Sequence, residues 1–289
     1  MQSYIANIIT DLKELESLLI ELIDNSRILK FQNDPDSSLV FIVPDYYWDV
    51  SSEIELKIQR ILKQKFSLWL QGFRILLSSS PISLQRKIND NLTNISNWIE
   101  RSSDDWTVPS TIELAKSNLN DQISIIEQYL VSLMKSTSPE IFIIPDTNSL
   151  ISFPNPLDYT RLGIGDFYSL IILPTVLSEL DNLKTRKQNT ELVSKVNSVI
   201  KRFKGYRTQG NILEGVIIHS SITIKMIPTE PDMAYSLSWL DKDNNDDKII
   251  ASTLEIQRDH PTSTIFLVTQ DLNMQNKAAM ARLPFLSFS

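Results

Sequence analysis

Apolar residues recur at helical spacing through the first half of the chain. They lie three or four positions apart, as in an amphipathic helix whose apolar stripe faces a core. The pattern predicts helices over residues 4–23, 52–77, 83–100 and 110–134. Ser52 and Glu55 have the spacing of a capping box at the start of the second helix, and serines that follow prolines begin the third and fourth. The first half is therefore expected to be mainly α-helical.

The second half alternates short apolar runs with helical patterns. The strand-like runs cover residues 141–144, 170–173, 221–227 and 264–268, with 285–288 as a last edge strand. The helical patterns cover residues 175–184, 191–203, 247–257 and 273–281. This alternation predicts an α/β domain, a parallel sheet with helices on both faces. The polar stretch at 135–140 marks the junction, giving a helical domain at 1–138 and an α/β domain at 139–289.

One short apolar run in the first half has no clear assignment. Residues 39–43 have the sequence LVFIV and follow the polar stretch at 33–38. Periodicity allows either a short buried strand or a hydrophobic staple, because the run is too short to distinguish them.

Composition removes several classes of chemistry. The chain has no cysteine, which excludes disulfide frameworks, thiolate zinc sites, iron–sulfur clusters and cysteine nucleophiles. Neither a phosphate-binding P-loop nor a dinucleotide-binding glycine motif occurs. The sequence begins without a signal-peptide pattern and has no apolar run of the roughly 20 residues that a membrane span needs. We therefore expect a cytoplasmic protein without a membrane partner.

Acidic residues follow or flank the predicted strands of the second half. Asp146 comes directly after the first strand, and Asp271 comes shortly after the fourth. Glu179 lies in the helix that follows the second strand, and Asp246 or Asp247 begins the helix before the fourth. Ligands of such sheets bind beyond the carboxyl ends of the strands. We therefore expect these acids to converge.

The converging acids favour a hard divalent cation. Each alone has a structural interpretation, since an aspartate at a helix start is most often an N-cap that stabilises by about 1 kcal/mol. Together, without a clustered base, they would repel one another. Oxygen ligands suit Mg²⁺ or Mn²⁺, whereas zinc prefers histidine or cysteine. His219 and His260 lie in different segments and lack ligand spacing.

A run of basic residues follows the Glu179 helix, and we call it the basic strip. Its members are Lys184, Arg186, Lys187, Lys195, Lys201, Arg202, Lys204 and Arg207. Glu191 is the only acidic residue among them. On charge alone, a solvated helix surface is the simpler interpretation, although a strip that binds phosphates has the same composition.

The order of these blocks resembles the PIN-domain nuclease family. The resemblance rests on IFIIPDTNSLI at 141–151, IILPTVLSELDNLK at 171–184, DDKIIASTLEI at 246–256 and FLVTQDLNMQNKA at 266–278. It covers roughly residues 141–289 and is greatest to the PIN domain that precedes an ATPase in PhoH-like proteins. The helical first half resembles no family that we recognise.

The resemblance implies a metal site. The family's acids match Asp146, Glu179, Asp271 and, as third acid, Asp247, with Asp246 as the alternative. Asp247 is preferred because Ala251 keeps the family's spacing. Asn148, Thr269 and Asn273 match accessory polar positions.

The resemblance also implies a reaction. One or two Mg²⁺ or Mn²⁺ ions and an activated water would hydrolyse phosphodiester bonds, most commonly in single-stranded or structured RNA. The basic strip is then expected to guide the RNA backbone, through Lys184, Arg186, Lys187, Lys195, Lys201 and Arg202.

Other functions fit less well. A non-catalytic PIN-fold scaffold that binds RNA or a protein is the main alternative. A phosphatase would need a second aspartate at Asn148, and a receiver domain would need paired acids after its first strand. The segment DTNSL at 146–150 does not match the D-x-S-x-S of a metal-dependent adhesion domain. The helical half is a candidate surface for a homo-oligomer or a regulatory protein.

Overall fold

The computed structural model describes residues 3–31, 43–135, 139–185 and 190–288. The chain divides into two compact units, Ile5–Ser136, here the helical unit, and Thr137–Ser289 with the first four residues, here the C-terminal unit. Residues 39–42 of the short apolar run lie outside the described residues, as do Arg186 and Lys187 of the basic strip. Within the described ranges, no helix combines the length and apolar character that crossing a membrane requires.

The helical unit is mainly helical, as predicted. Its described helices are α1 (Tyr4–Asp24), α2 (Glu53–Leu77), α3 (Ile82–Glu100) and α4 (Ile112–Met134). Two short strands, β1 (Ile28–Lys30) and β2 (Tyr46–Trp48), pair antiparallel. The sequence did not indicate these strands, because three residues carry too little periodicity to be recognised.

Two helices begin at residues other than those predicted. Pro81, rather than Ser83, is the N-cap of α3, and it makes no side-chain capping bond. Thr111, rather than Ser110, caps α4 through its hydroxyl. Serine and threonine can both cap a helix, so composition alone does not show at which residue the helix begins. The start is set by where the backbone turns.

Glu55 organises the start of α2 and is buried. Its carboxylate accepts from the backbone N–H of Ser52 at 2.8 Å and the Ser52 hydroxyl accepts from the N–H of Glu55, so the predicted capping box is present. Ser26 donates its hydroxyl to Glu55 at 2.8 Å, and the Arg101 guanidinium lies 3.4 Å away. Burial opposes ionisation of Glu55, but these hydrogen bonds and Arg101 together lower its pKa.

Large aromatic side chains fill the core of the helical unit. Trp69 is fully buried, stacks on Phe73 with ring centroids 4.8 Å apart, and donates its indole N–H to the carbonyl of Ile8 at 2.9 Å. Trp98 is also buried, and its ring lies edge-on to Trp48 at 5.6 Å. Such rings bury large apolar areas and constrain their neighbours by shape.

A mostly parallel sheet with helices around it forms the C-terminal unit. Its described strands are β3 (Ile141–Pro145), β4 (Tyr168–Ile172), β5 (Val216–His219), β6 (Ile222–Met226), β7 (Thr264–Val268) and β8 (Phe285–Leu286). Their order is β5-β6-β4-β3-β7-β8, and all neighbours are parallel except β5 and β6. The predicted parallel sheet is confirmed. The antiparallel edge strand β5 was missed.

Helices connect the strands of this sheet. They are α5 (Thr147–Ser152), α6 (Pro174–Lys184), α7 (Thr190–Arg207), α8 (Asn245–Asp259) and α9 (Leu272–Met280). The last four fall on the predicted helical segments, whereas α5 is too short to show a period. Because β4, β3 and β7 are parallel neighbours, their carboxyl ends meet at one edge of the sheet, here called the carboxyl edge.

Candidate metal centre

A cavity of about 300 Å³ lies at the carboxyl edge, and we call it the acidic cavity. It is lined by Asp146, Thr147, Asn148, Glu179, Asn182, Leu183, Asn245, Asp246, Ile249, Asp271 and Met274. Four carboxylic acids and three asparagines thus share one small space. Among the described residues of this lining there is no lysine, arginine or histidine.

Asp146 enters the cavity directly from the central strand. Its backbone N–H donates to the carbonyl of Val268 at 2.9 Å, which extends the pairing of β3 with β7 by one residue. One carboxylate oxygen, Oδ1, accepts from the N–H of Ser149 at 2.6 Å and caps α5. The residue is only 5% exposed, and no donor in the described ranges reaches its other oxygen. A buried carboxylate with one oxygen left over needs a further partner.

Glu179 reaches the cavity from the second turn of α6. The Thr147 hydroxyl donates to its Oε2, and the side-chain amide of Asn245 donates to its Oε1 at 2.7 Å. These bonds connect the starts of α5 and α8 to α6. The carboxylate is therefore held in place by neutral donors, which leave its charge uncompensated.

Asp246 and Asp247 are adjacent in sequence but have different surroundings. Asp246 lines the cavity. Asp247 is 4% exposed, lies 2.7 Å from Lys277 Nζ and accepts from the backbone N–H of Asp241 at 2.9 Å. Asn244 caps α8, so neither aspartate is the cap. The resemblance favoured Asp247 as the third acid, but the structure places the alternative, Asp246, among the other three.

Asp271 combines a capping bond with a place in the cavity lining. Its Oδ1 accepts from the N–H groups of Asn273 at 2.7 Å and Met274 at 3.1 Å, which makes it the N-cap of α9. The buried Thr269 hydroxyl accepts from the N–H of Asp271 at 3.0 Å. Of the three accessory positions, Asn148 lines the cavity, whereas Thr269 and Asn273 orient Asp271.

The close acids change the titration of Asp246. Burial has the largest effect and raises its pKa, Lys277 lowers it, and Asp271, Glu179 and Asp247 each raise it by less. A raised carboxyl pKa means that the ionised form is disfavoured where it stands. The cavity therefore has a deficit of positive charge.

The oxygen donors of the cavity suit Mg²⁺ or Mn²⁺. The polar lining supplies carboxylate, amide and hydroxyl groups and contains neither thiolate nor imidazole. In the described ranges, however, no three acidic or histidine side chains meet the geometry of a metal site. Asp146 and Asp271 each use one oxygen to cap a helix, which leaves the other for a ligand.

Several residues around the acids gave no functional signal in the sequence. They are Thr147, Asn182, Asn245 and Lys277. Asn245 and Thr147 directly adjoin acids that were singled out, but nothing in the pattern showed that both would bond Glu179. The partner of Asp247 was hidden because Lys277 lies on a different helix.

The described part of the basic strip lies at the end of α6 and along α7, which packs against α5 and α6. Lys195 pairs with Glu191 at 2.8 Å. Lys184, Lys201 and Arg202 are exposed and form no ion pair with described residues. None of these side chains lines the acidic cavity, so any contact with a substrate would be outside it.

The two adjacent aspartates should differ in their effect on stability. Asp247→Asn leaves the charge of Lys277 without its partner, and should lower the free energy of unfolding by about 3 kcal/mol. Asp246→Asn removes a repelled carboxylate, and should leave this free energy unchanged or raise it slightly. Urea unfolding of both variants with a chelator present measures the difference. Equal losses would contradict the pairing of Lys277 with Asp247 in preference to Asp246.

Comparison with known proteins supports the resemblance. The profile of the PIN domain family matches residues 143–289, which is just over half of the chain and includes all four acids of the cavity. A search of curated proteins found no match. PIN domains are generally nucleases and usually bind Mg²⁺ or Mn²⁺. The chain belongs to the PIN domain family.

Proposed function

We propose that the protein is a metal-dependent endoribonuclease that hydrolyses phosphodiester bonds of single-stranded or structured RNA. The observation that carries the proposal is the acidic cavity, whose lining holds Asp146, Glu179, Asp246 and Asp271. Membership of a family of nucleases supports it. The raised pKa of Asp246, caused first by burial and then by the neighbouring acids, is consistent with it, because a cation would stabilise the ionised form of this carboxyl.

Three aspartates and one glutamate would hold Mg²⁺ or Mn²⁺. Asp146 and Asp271 offer the oxygen that does not cap a helix, and Asp246 offers both of its oxygens. Glu179 would exchange a bond from Thr147 or Asn245 for the ion. A bound divalent cation lowers the pKa of water and offsets charge on the departing oxygen of a phosphodiester.

The residues around the acids keep the site negative and ordered. Lys277 forms an ion pair with Asp247, so its ammonium group mainly neutralises that carboxylate. Asn148, Asn182 and Asn245 line the cavity with amide groups, which can donate to phosphate oxygens without adding positive charge. This arrangement requires no histidine as a general base.

The third acid in this proposal is Asp246, with Asp247 in a supporting role. An α-helix has 3.6 residues per turn, so the side chains of adjacent residues point about 100° apart around its axis. Asp247 holds the start of α8 against Lys277 on α9 and against the backbone of Asp241. Asp246 is then the acid of α8 that lines the cavity, beside Asn245 and Ile249 of the same helix.

Loss of a ligand should abolish cleavage without unfolding the protein. Asp146→Asn should reduce the rate of Mn²⁺-dependent cleavage of a labelled single-stranded RNA by about 100-fold or more, because it removes charge that holds the ion. Asp181→Asn, at an exposed position of α6 outside the cavity, is the matched control and should cleave normally. Gel electrophoresis of the end-labelled RNA gives both rates.

Two outcomes of this assay would contradict the nuclease. Full activity of Asp146→Asn would remove that residue from the mechanism. Binding of RNA by the unaltered protein without cleavage, with Mg²⁺ and with Mn²⁺, would support the non-catalytic scaffold instead.

The basic strip is proposed to hold the RNA backbone. Lys201 and Arg202 project from α7 into solvent, and each phosphate contact by such a residue releases a counterion. The K201E/R202E double variant should bind RNA more weakly, and the slope of log affinity against log salt should fall in magnitude by about 1.4. The K57E/K63E double variant, with exposed residues of α2, carries the same charge change and should bind normally. Equal slopes for the two double variants would exclude the strip as a phosphate contact.

A further inference from the structure

The helical unit contains a second cavity, of about 420 Å³, which we call the aromatic cavity. Phe31, Tyr47, Trp48 and Trp106 supply rings to its lining, and Arg101 and Asp104 supply its charged groups. This volume falls in the range of small-ligand sites, which combine apolar walls with a few polar groups. The proposed nuclease reaction uses none of these residues.

Arg101 lines this cavity and has buried N–H groups without hydrogen-bond partners in the described part of the chain. Its side chain is 10% exposed, and its guanidinium carbon lies 4.1 Å from the centre of the Trp48 ring. Nη2 donates to the Ser26 hydroxyl and lies 3.4 Å from Glu55. Nε and Nη1 have no acceptor among the described residues, and the buried indole N–H of Trp48 has none either. Native proteins rarely leave buried donors unpaired, so three at one cavity indicate a missing acceptor.

The charges at the aromatic cavity limit what the acceptor can be. An ammonium ligand of the kind that aromatic cages often bind can only donate hydrogen bonds, so it would leave the free N–H groups of Arg101 and Trp48 unpaired. Its own charge is already offset by Glu55, and Asp104 adds a negative charge to the lining, so a small anion is disfavoured. A neutral flat ring with acceptor atoms satisfies both limits, because rings stack on the walls and acceptors pair with the free N–H groups.

Trp106 forms an exposed edge of the cavity, with 61% of its surface accessible. The loop that carries it is nevertheless held in place. The buried Asp105 accepts from the backbone N–H of Thr107 at 2.9 Å and from its hydroxyl at 2.6 Å. Thr107 also accepts from the indole N–H of Trp98 at 2.9 Å. An exposed tryptophan on a loop fixed from both sides is suited to stacking on a ligand.

We propose that the aromatic cavity binds one unpaired nucleobase, stacked on Trp106 with its acceptor atoms toward Arg101 and Trp48. Each nucleobase presents a flat face and ring or carbonyl acceptors, and stacking on aromatic side chains is the usual way in which proteins hold unpaired bases. The base belongs either to a free mononucleotide or to a single-stranded RNA, and in both cases only the neutral base enters the cavity while the phosphate stays outside it. The proposal goes beyond the nuclease function and stands without it, because the acidic cavity does not enter the argument.

The test measures binding in the absence of cleavage. The full chain with Asp146→Asn, in a chelator, is titrated with a fluorescent single-stranded RNA, with the same strand made abasic, and with mononucleotides as competitors. The intact strand should bind, and the abasic strand should bind about tenfold more weakly. Trp106→Ala should lower the affinity for the intact strand by about the same factor. Trp106→Phe should retain most of the affinity, because it keeps a ring.

A control variant and the competitors complete the test. Tyr235→Ala removes a ring that is 66% exposed and lies outside the aromatic cavity, and it should change nothing. If mononucleotides compete with the strand, the ligand is a free nucleotide. If they do not compete, and the intact strand still binds more tightly than the abasic one, the ligand is a base of RNA. Equal affinity for intact and abasic strands, or an unchanged affinity of Trp106→Ala, would overturn the proposal. Because neither metal nor cleavage is involved, a failed nuclease assay leaves this result unaffected.

Discussion

Four carboxylates share one small cavity at the carboxyl edge, and carboxylates this close repel one another unless their charges are offset. Burial and three neighbouring acids raise the pKa of Asp246, and the hydrogen bonds to the other acids come mainly from neutral backbone or amide groups. Helix caps at Asp146 and Asp271 stabilise two of the charges, and each cap uses a single oxygen. The nearby ammonium of Lys277 is engaged by Asp247. The fold thus tolerates the acids and leaves negative charge in the cavity that its described lining residues do not neutralise.

The sheet topology explains why distant residues share this constraint. Asp146 and Asp271 follow β3 and β7, which are parallel and adjacent, while β4 on the other side of β3 leads into the helix that carries Glu179. The strands end at one edge, so short connections are sufficient to bring their acids together. The Asp246 helix precedes β7 and completes the ring of acids. The chemistry of the site therefore follows from strand order more than from any local motif.

The sequence predicted the features that depend on local pattern and missed the features that depend on tertiary contacts. Acids beside strand ends could be placed because the apolar runs were long enough to identify the strands. The spacing to Ala251 favoured Asp247 over Asp246, whereas the cavity lining contains Asp246, because the rotation of α8 and Lys277 from another helix decide which side chain lies there. The four-residue edge strand β5 and the six-residue α5 were missed because neither is long enough to show a period. Arg101 gave no signal either, because its partners Ser26 and Glu55 lie far from it in sequence.

A crystal structure of the protein soaked in Mn²⁺, with anomalous diffraction recorded, would show whether the acidic cavity binds a cation. The proposed metal site predicts an anomalous peak in the acidic cavity, within coordination distance of oxygens from Asp146 and Asp246, with Asp247 still paired to Lys277. An acidic cavity without a peak at saturating Mn²⁺, or an ion held by Asp247 in place of Asp246, would contradict it.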